Sequence, residues 1–280
     1  AGKSIGCKFM PPTYFFENKS FNRFRNKIKQ YPRIALFLDF DGTLVPIQKD
    51  PAQCFLSGRI KKQLKLIADS THFYIIILSG RSLSDIKKRV GIKKIYYGGN
   101  HGLDISGSGM RYTHPEAQKT KSIINAIERR LKKEIAKIKG AWLENKKYSL
   151  SLHFRSVTAT DIPLIKKIFR NTVDEFLKKN LLSVIKGKKV LELVPAVSWD
   201  KGKAVFLILQ RLKHKCLPIY IGDDQTDETA FRALNKKGIT IRVGKSAKTD
   251  ASYYLKSQRE VSEFLKKVSE TRLCEKEFIV

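Results

Sequence analysis

The chain has 280 residues, 42% of them hydrophobic, enough to bury a sizeable core as one large domain or two smaller ones. Its 56 lysines and arginines against 26 acidic residues give a formal charge of +30; they are spread along the whole chain, as on the helix face RRLKKEIAKIK, with no nucleic-acid-binding motif, so nucleic acid is not an expected partner. No apolar run reaches the roughly 18 residues of a membrane span, no signal-peptide core opens the chain, and Cys7, Cys54, Cys216 and Cys274 lack metal-ligand or disulfide spacing, which predicts a cytoplasmic protein with reduced thiols and no zinc site.

Residues 1–30 are basic and aromatic and read as an extended N-terminal arm with a short helix. RIALFLDF is then a fully apolar strand of the kind buried on both faces of a parallel sheet. A helix over 57–70 has apolar residues at 60, 64 and 67; the strand HFYIIILSG, the helix SLSDIKKRVG and the strand IYYGGNHG follow. Strand and helix alternating with short loops predict a doubly wound α/β sheet, with its site at the carboxyl ends of the strands. After Asp104 the rhythm changes. A hairpin around Gly107–Gly109 leads into a long helix over about 116–138, alternating strands in AWLENKKYSLSLHFRSV, a helix over about 161–179 and a hairpin in LLSVIKGKKVLELVP. This is the pattern of a small α+β domain inserted in the first. The helix DKGKAVFLILQRL, the strand LPIYIG with its acidic loop, two short strands and a last helix resume the α/β order. The expected division is an arm at 1–30, a core at 31–107 and 196–280, and a cap at 108–195.

Four strand ends carry the chemistry: DFDGT with Asp39, Asp41, Gly42 and Thr43; LSGRS with Ser79, Gly80 and Arg81; WDKGKA with Lys201; and GDDQTD with Asp223, Asp224 and Asp227. In a doubly wound sheet they meet on one edge. Carboxylates packed so closely repel, and a divalent cation resolves the conflict; oxygen-rich, sulfur-free surroundings favour magnesium. A lysine and a hydroxyl beside it suit a phosphoryl group. One carboxylate can attack phosphorus, and a second, two residues on, can protonate the leaving oxygen and later activate water. Arg81 is either a phosphate contact or half of a structural ion pair.

These four segments resemble, in order, the motifs of the haloacid dehalogenase superfamily of phosphohydrolases. The resemblance implies that Asp39 is the nucleophile, Asp41 the acid/base, and Ser79, Gly80 and Lys201 the phosphate site. It also implies that Asp39, the Asp41 carbonyl and Asp223 bind Mg2+, with Asp224 or Asp227 orienting the metal shell; Asp224 is taken as the fourth metal residue. YYGGNHGLDI, ENKKYSLSLHFR, GKKVLELVPAVSWDKGKA and PIYIGDDQTDETAF further resemble trehalose-6-phosphate phosphatases, over about residues 33–260. The expected activity is hydrolysis of trehalose 6-phosphate by a monomer. Glu144 and Glu192 would accept from sugar hydroxyls, Lys146, Arg155 and Lys188 would donate, and Asn100, His101 and Gly102 would line the core side. Lys146 is the weakest of that set. His153, Trp142 and Trp199 read more readily as core residues. The chain departs from the family at Val194, where an arginine often precedes the proline. Rival readings are a phosphatase of another phosphosugar such as sucrose 6-phosphate, or a non-catalytic protein binding a sugar phosphate or nucleic acid.

Overall fold

A computed structural model describes residues 11–48, 51–187 and 189–273. Its centre is a nine-stranded sheet. In chain order the strands are β1 (Thr13–Tyr14), β2 (Ile34–Asp39), β3 (Phe73–Leu78), β4 (Tyr96–Gly99), β5 (Asp104–Gly107), β6 (Met110–Thr113), and, after an excursion into a second sheet, β11 (Leu217–Gly222), β12 (Ile239–Val243) and β13 (Tyr253–Leu255). The spatial order is β1-β13-β12-β11-β2-β3-β4-β5-β6, parallel as far as β4 and antiparallel in the hairpin β5–β6. The chain therefore runs outward from β2 in one direction and from β11 in the other. The crevice where the order reverses is where ligands enter open α/β sheets.

β2 is buried at every position because both faces of the sheet are covered. Ile34, Leu36 and Leu38 face α1 (Asn18–Lys29), α2 (Gly58–Asp69), α3 (Leu83–Val90) and α8 (Arg259–Leu273). Ala35 and Phe37 face α6 (Lys201–Arg211) and α7 (Glu228–Leu234). Ser57 and Ser82 cap α2 and α3, each accepting a main-chain N–H of the first turn.

Between β6 and α6 lies a four-stranded antiparallel sheet, β7 (Trp142–Asn145), β8 (Leu150–His153), β10 (Val190–Pro195) and β9 (Leu182–Gly187). Its apolar face holds Leu143, Leu150, Leu152, Leu191 and Leu193 against α4 (Pro115–Ile135) and α5 (Ile162–Lys178). Alternation turns Trp142, Glu144, Ser151, His153 and Glu192 to the other face.

Two expectations change. Residues 13–29 are not set apart as an arm: β1 extends the main sheet, and Phe15, Phe24 and Ile28 are buried in its core. The aromatic residues that made this stretch look unusual are core residues. The expected division between 107 and 108 runs through the hairpin β5–β6, whose pairing with β4 joins both strands to the large sheet. No helix among the described residues is long and apolar enough to cross a membrane.

Candidate active site

β2 delivers Asp39 to the carboxyl edge of the sheet, 5% exposed. The chain then turns sharply, with the N–H groups of Leu44 and Val45 both donating to the Phe40 carbonyl. Gly42 makes the turn at φ +88°, and a Cβ there would lie 2.1 Å from the Asp223 carboxylate. Only glycine allows both the backbone angle and the approach of Asp223. Lys201, at the start of α6, donates Nζ to Asp39 Oδ1 at 2.8 Å and to Asp227 Oδ1 at 2.7 Å. Asp227 has no exposed surface; it also accepts from the Tyr220 hydroxyl at 2.7 Å and from the N–H groups of Asp223 and Asp224 at 2.9 and 3.0 Å.

Burial pushes the Asp39 carboxyl up, against the pull of Lys201, and the charges of Asp227 and Asp223 add to the rise. Burial, then Asp227 and Asp224, push Asp223 up to about 7. Asp227 and Asp39 hold the Lys201 ammonium protonated despite its burial. Asp39, Asp223 and Asp227 each bring an oxygen within 4.8 Å of the others. A single lysine leaves that group with excess negative charge, which fits a divalent cation bound by oxygen. Asp227 already accepts four hydrogen bonds, about the capacity of a carboxylate. Asp39 and Asp223 are the side chains with oxygens to spare.

The structure does not bring every expected carboxylate into this group. Asp224 is exposed, and its Oδ1 accepts from the amides of Thr226 and Asp227 and the Thr226 hydroxyl. It closes the loop, and the inward position belongs to Asp227. Asp41 turns its carboxylate to Arg81, which grips it with Nε and Nη2, both at 2.7 Å. The ion-pair reading of Arg81 is thus present, with a partner in the site itself. Ser79 is buried one residue past Leu78, which is paired with Asp39 across the sheet. Its Oγ accepts the Arg81 N–H at 3.1 Å. Gly80 has no side chain because the His101 ring lies on it: a Cβ would be 2.8 Å from His101 Cε1.

Opposite this edge stands the polar face of the smaller sheet. Glu144, Ser151 and Glu192 are neighbours across three strands. Glu192 Oε1 accepts from Lys146 Nζ at 3.0 Å and the Ser149 hydroxyl at 2.8 Å, and Oε2 lies 3.9 Å from His101 Nε2. Lys146, the weakest expectation, is 9% exposed and the principal partner of Glu192. Glu144 is held at 3.0 Å by His153, whose ring stacks on Trp142 at 3.9 Å between centroids. Neither is a core residue: they lie on the polar face, and Trp142 is 45% exposed. Asn100 lines the space between the sheets, as expected, and also bridges them. Its amide donates to the Lys146 carbonyl and its oxygen accepts from Ser149, binding the two sheets together. Gly102, at φ +89°, lets its loop press on α6, where a Cβ would meet Ala204 at 2.3 Å. The Arg155 side chain is exposed and makes no hydrogen bond or ion pair with the described residues. Lys188 lies outside the described residues, as do Cys7 and Cys274.

A cavity of about 310 Å³ opens between the sheets beside Lys201, lined by His101, Trp199, Thr229, Ser183, Ile185 and Val194 among others. Trp199 forms its wall and stacks on Tyr112. Sequence reasoning missed Ser149 and Tyr220. Tyr220 carried a usable signal, a polar-tipped residue in the fully buried run LPIYIG, which calls for an internal partner.

The model of the trehalose-phosphatase family matches residues 37–259. Trehalose-phosphate phosphatase B of Arabidopsis thaliana is 35% identical over 254 residues, 85% of this chain and 67% of that protein. Trehalose 6-phosphate phosphatase RA3 of Zea mays is 36% identical over 257 residues, 85% of this chain and 70% of that one. Among solved structures, the C-terminal domain of C. albicans trehalose-6-phosphate phosphatase superposes with a TM-score of 0.74 at 25% identity, over 92% of this chain and 97% of that domain. A haloacid dehalogenase-like hydrolase from Bacteroides thetaiotaomicron shares the fold, with a TM-score of 0.58 at 15% identity over 84% of this chain and 99% of that one. A haloacid dehalogenase-like sheet carrying a second sheet over its carboxyl edge, with both aspartates, the lysine and the acidic loop in place, accords with the sequence match: the chain is a phosphatase and belongs to the trehalose-phosphatase family.

Proposed function

We propose that this chain hydrolyses trehalose 6-phosphate to trehalose and inorganic phosphate through a phosphoryl group carried on Asp39. The observation behind this reading is that His101 stands between the two sides: with Lys201, the partner of Asp39, it lines one cavity, and its Nε2 lies 3.9 Å from Glu192 of the glutamate–lysine pair on the polar sheet. Asp39 attacks phosphorus and the bond to the sugar oxygen breaks, with Asp41 giving that oxygen a proton. Water then attacks the same phosphorus, Asp41 takes its proton, and phosphate leaves Asp39 free. Lys201 and Ser79 donate to the phosphoryl oxygens, and Lys201 is held in line by Asp227. Mg2+ held by Asp39, Asp223 and the Asp41 carbonyl would neutralise the charge gathered on the phosphoryl group and the carboxylates.

The sugar reading rests on the opposite face. Glu144 and Glu192 offer acceptors, and Lys146, Arg155 and Lys188 offer donors. Three buried side-chain atoms lack any partner among the described residues, His101 Nδ1, Ser151 Oγ and Trp199 Nε1. His101 and Trp199 line the cavity between the sheets, and Ser151 lies between Glu144 and Glu192 on the polar face; a polyhydroxylic ligand supplies what such groups need.

The test is phosphate release from trehalose 6-phosphate, sucrose 6-phosphate, glucose 6-phosphate and an aryl phosphate, each with magnesium and with chelator. A magnesium-dependent preference for trehalose 6-phosphate is expected. Preference for another ester would overturn the sugar assignment and leave the chemistry standing. Silence on all four from folded protein would overturn both.

A further inference from the structure

Asp41 is held by Arg81, and Arg81 is held in its turn. While Nε and Nη2 of Arg81 grip its carboxylate, Nη1 donates to Asp85 Oδ2 at 3.0 Å. The same Asp85 oxygen accepts Arg89 Nε at 2.7 Å. Arg89 Nη1 then donates to the carbonyls of Ala52 and Cys54 at 3.0 and 2.8 Å. Asp85 and Arg89 stand four apart on α3 and share a face, and Arg81 reaches Asp85 from just before the helix cap. The chain of charges starts at the acid/base and ends on the backbone of the segment after the nucleophile turn.

Exposed ion pairs of this kind add little, but here the two arginine side chains are only 8% and 11% exposed. Asp85 and Arg89 touch neither Asp39 nor Lys201. What they can do is geometric. A guanidinium gripping a carboxylate by two parallel bonds sets the plane of that carboxylate. The Arg81 guanidinium also lies over the Phe40 ring, 5.5 Å from its centre; Asp85 holds its far side, and Arg89 holds Asp85.

We propose that Asp85 and Arg89 are positioning residues for Asp41, acting through Arg81 to hold its carboxylate in one orientation for both of its proton transfers. The proposal rests on the acid/base role given to Asp41 above. An alkoxide leaving group needs the proton from Asp41, whereas a nitrophenolate leaves without one. Release of phosphate from Asp39 needs Asp41 to take a proton from water, whatever ester came first. A misaligned Asp41 therefore spares the first step with an aryl phosphate and slows the second.

The test uses Asp85→Asn and Arg89→Lys in the full chain with magnesium. With p-nitrophenyl phosphate, stopped-flow should show a full-amplitude burst of one nitrophenolate per site, followed by turnover about tenfold slower or more than in the parent. With trehalose 6-phosphate, kcat should fall about tenfold or more with KM within about threefold. Asp85→Glu, which keeps a carboxylate, should recover part of the loss. Equal losses in burst and steady state, or parent-like behaviour of both variants, would overturn the proposal. If Asp85→Asn does not fold, Arg89→Lys decides, since it keeps the charge and loses only the fork. Asp41→Asn separates the two readings. Without a burst there, the acid/base role itself fails; with one there and none in the other variants, only the positioning role fails.

Discussion

Asp227 accepts from Lys201, Tyr220 and two main-chain amides while wholly buried, and the loop that carries Asp223 is wrapped around it. Replacing it with asparagine keeps the shape and removes the charge. Lys201 would keep one carboxylate of two, and the amide could not satisfy all four donors. Breaking a buried pair in this way typically costs about 3–5 kcal/mol. Asp227→Asn should therefore unfold at markedly lower urea while retaining a cooperative transition, and a midpoint equal to the parent's would show that the four bonds are not coupled to folding. The sequence placed an aspartate cluster here through the spacing of GDDQTD, yet it could not say which member turns inward. That choice is made by hydrogen bonds to the loop's own amides, which take Asp224 outward and Asp227 inward. Similarly, the burial of Lys146 against Glu192 was not legible, because it depends on how the turn after β7 folds over β10.

At the level of elements, the turn from β2 to Thr43 depends on one glycine. An alanine at 42 meets both a left-handed φ and the Asp223 carboxylate. The carboxylate must move, and it is one of the two with an oxygen free for a cation. Gly42→Ala should keep its far-ultraviolet spectrum and lose about tenfold or more in magnesium affinity by calorimetric titration; unchanged affinity would mean that Asp223 does not bind the ion. The long elements were legible because each has a period: apolar runs for β2, β3 and β11, and apolar residues 60, 64 and 67 for α2. β1 was not, since two residues carry no period, and its place is fixed by pairing with β13 from the far end of the chain. The hairpin β5–β6 was found and its sheet was not, because alternation reports a face and not a partner.

Across the whole molecule, two electrostatic effects act at different ranges. The net charge of +30 should draw in a doubly charged phosphate ester, so KM for trehalose 6-phosphate should rise with salt as the roughly 10 Å screening length of 0.1 M shrinks further. A flat KM would confine the surface charge to other uses. The short-range effect holds Glu192 to Lys146 within the smaller sheet and to His101 of the larger one. Burial alone would raise the Glu192 carboxyl, but Lys146 and His101 outweigh it and hold the group well below the usual carboxylate range. A carboxylate lowered by folding adds stability above its unfolded value, about 4.3, and loses it as pH falls through the folded one. The parent's stability advantage over Glu192→Gln should thus be level from neutrality down to about pH 5 and shrink below about pH 4. Urea titrations of both proteins at a series of pH values measure this difference directly. A difference constant to pH 3 would mean that the Glu192 charge contributes nothing and that only its shape matters to stability. The expected narrowing would identify the ion pair as the contact that loosens first in acid, beside the Asn100 bridge, which has no charge to lose.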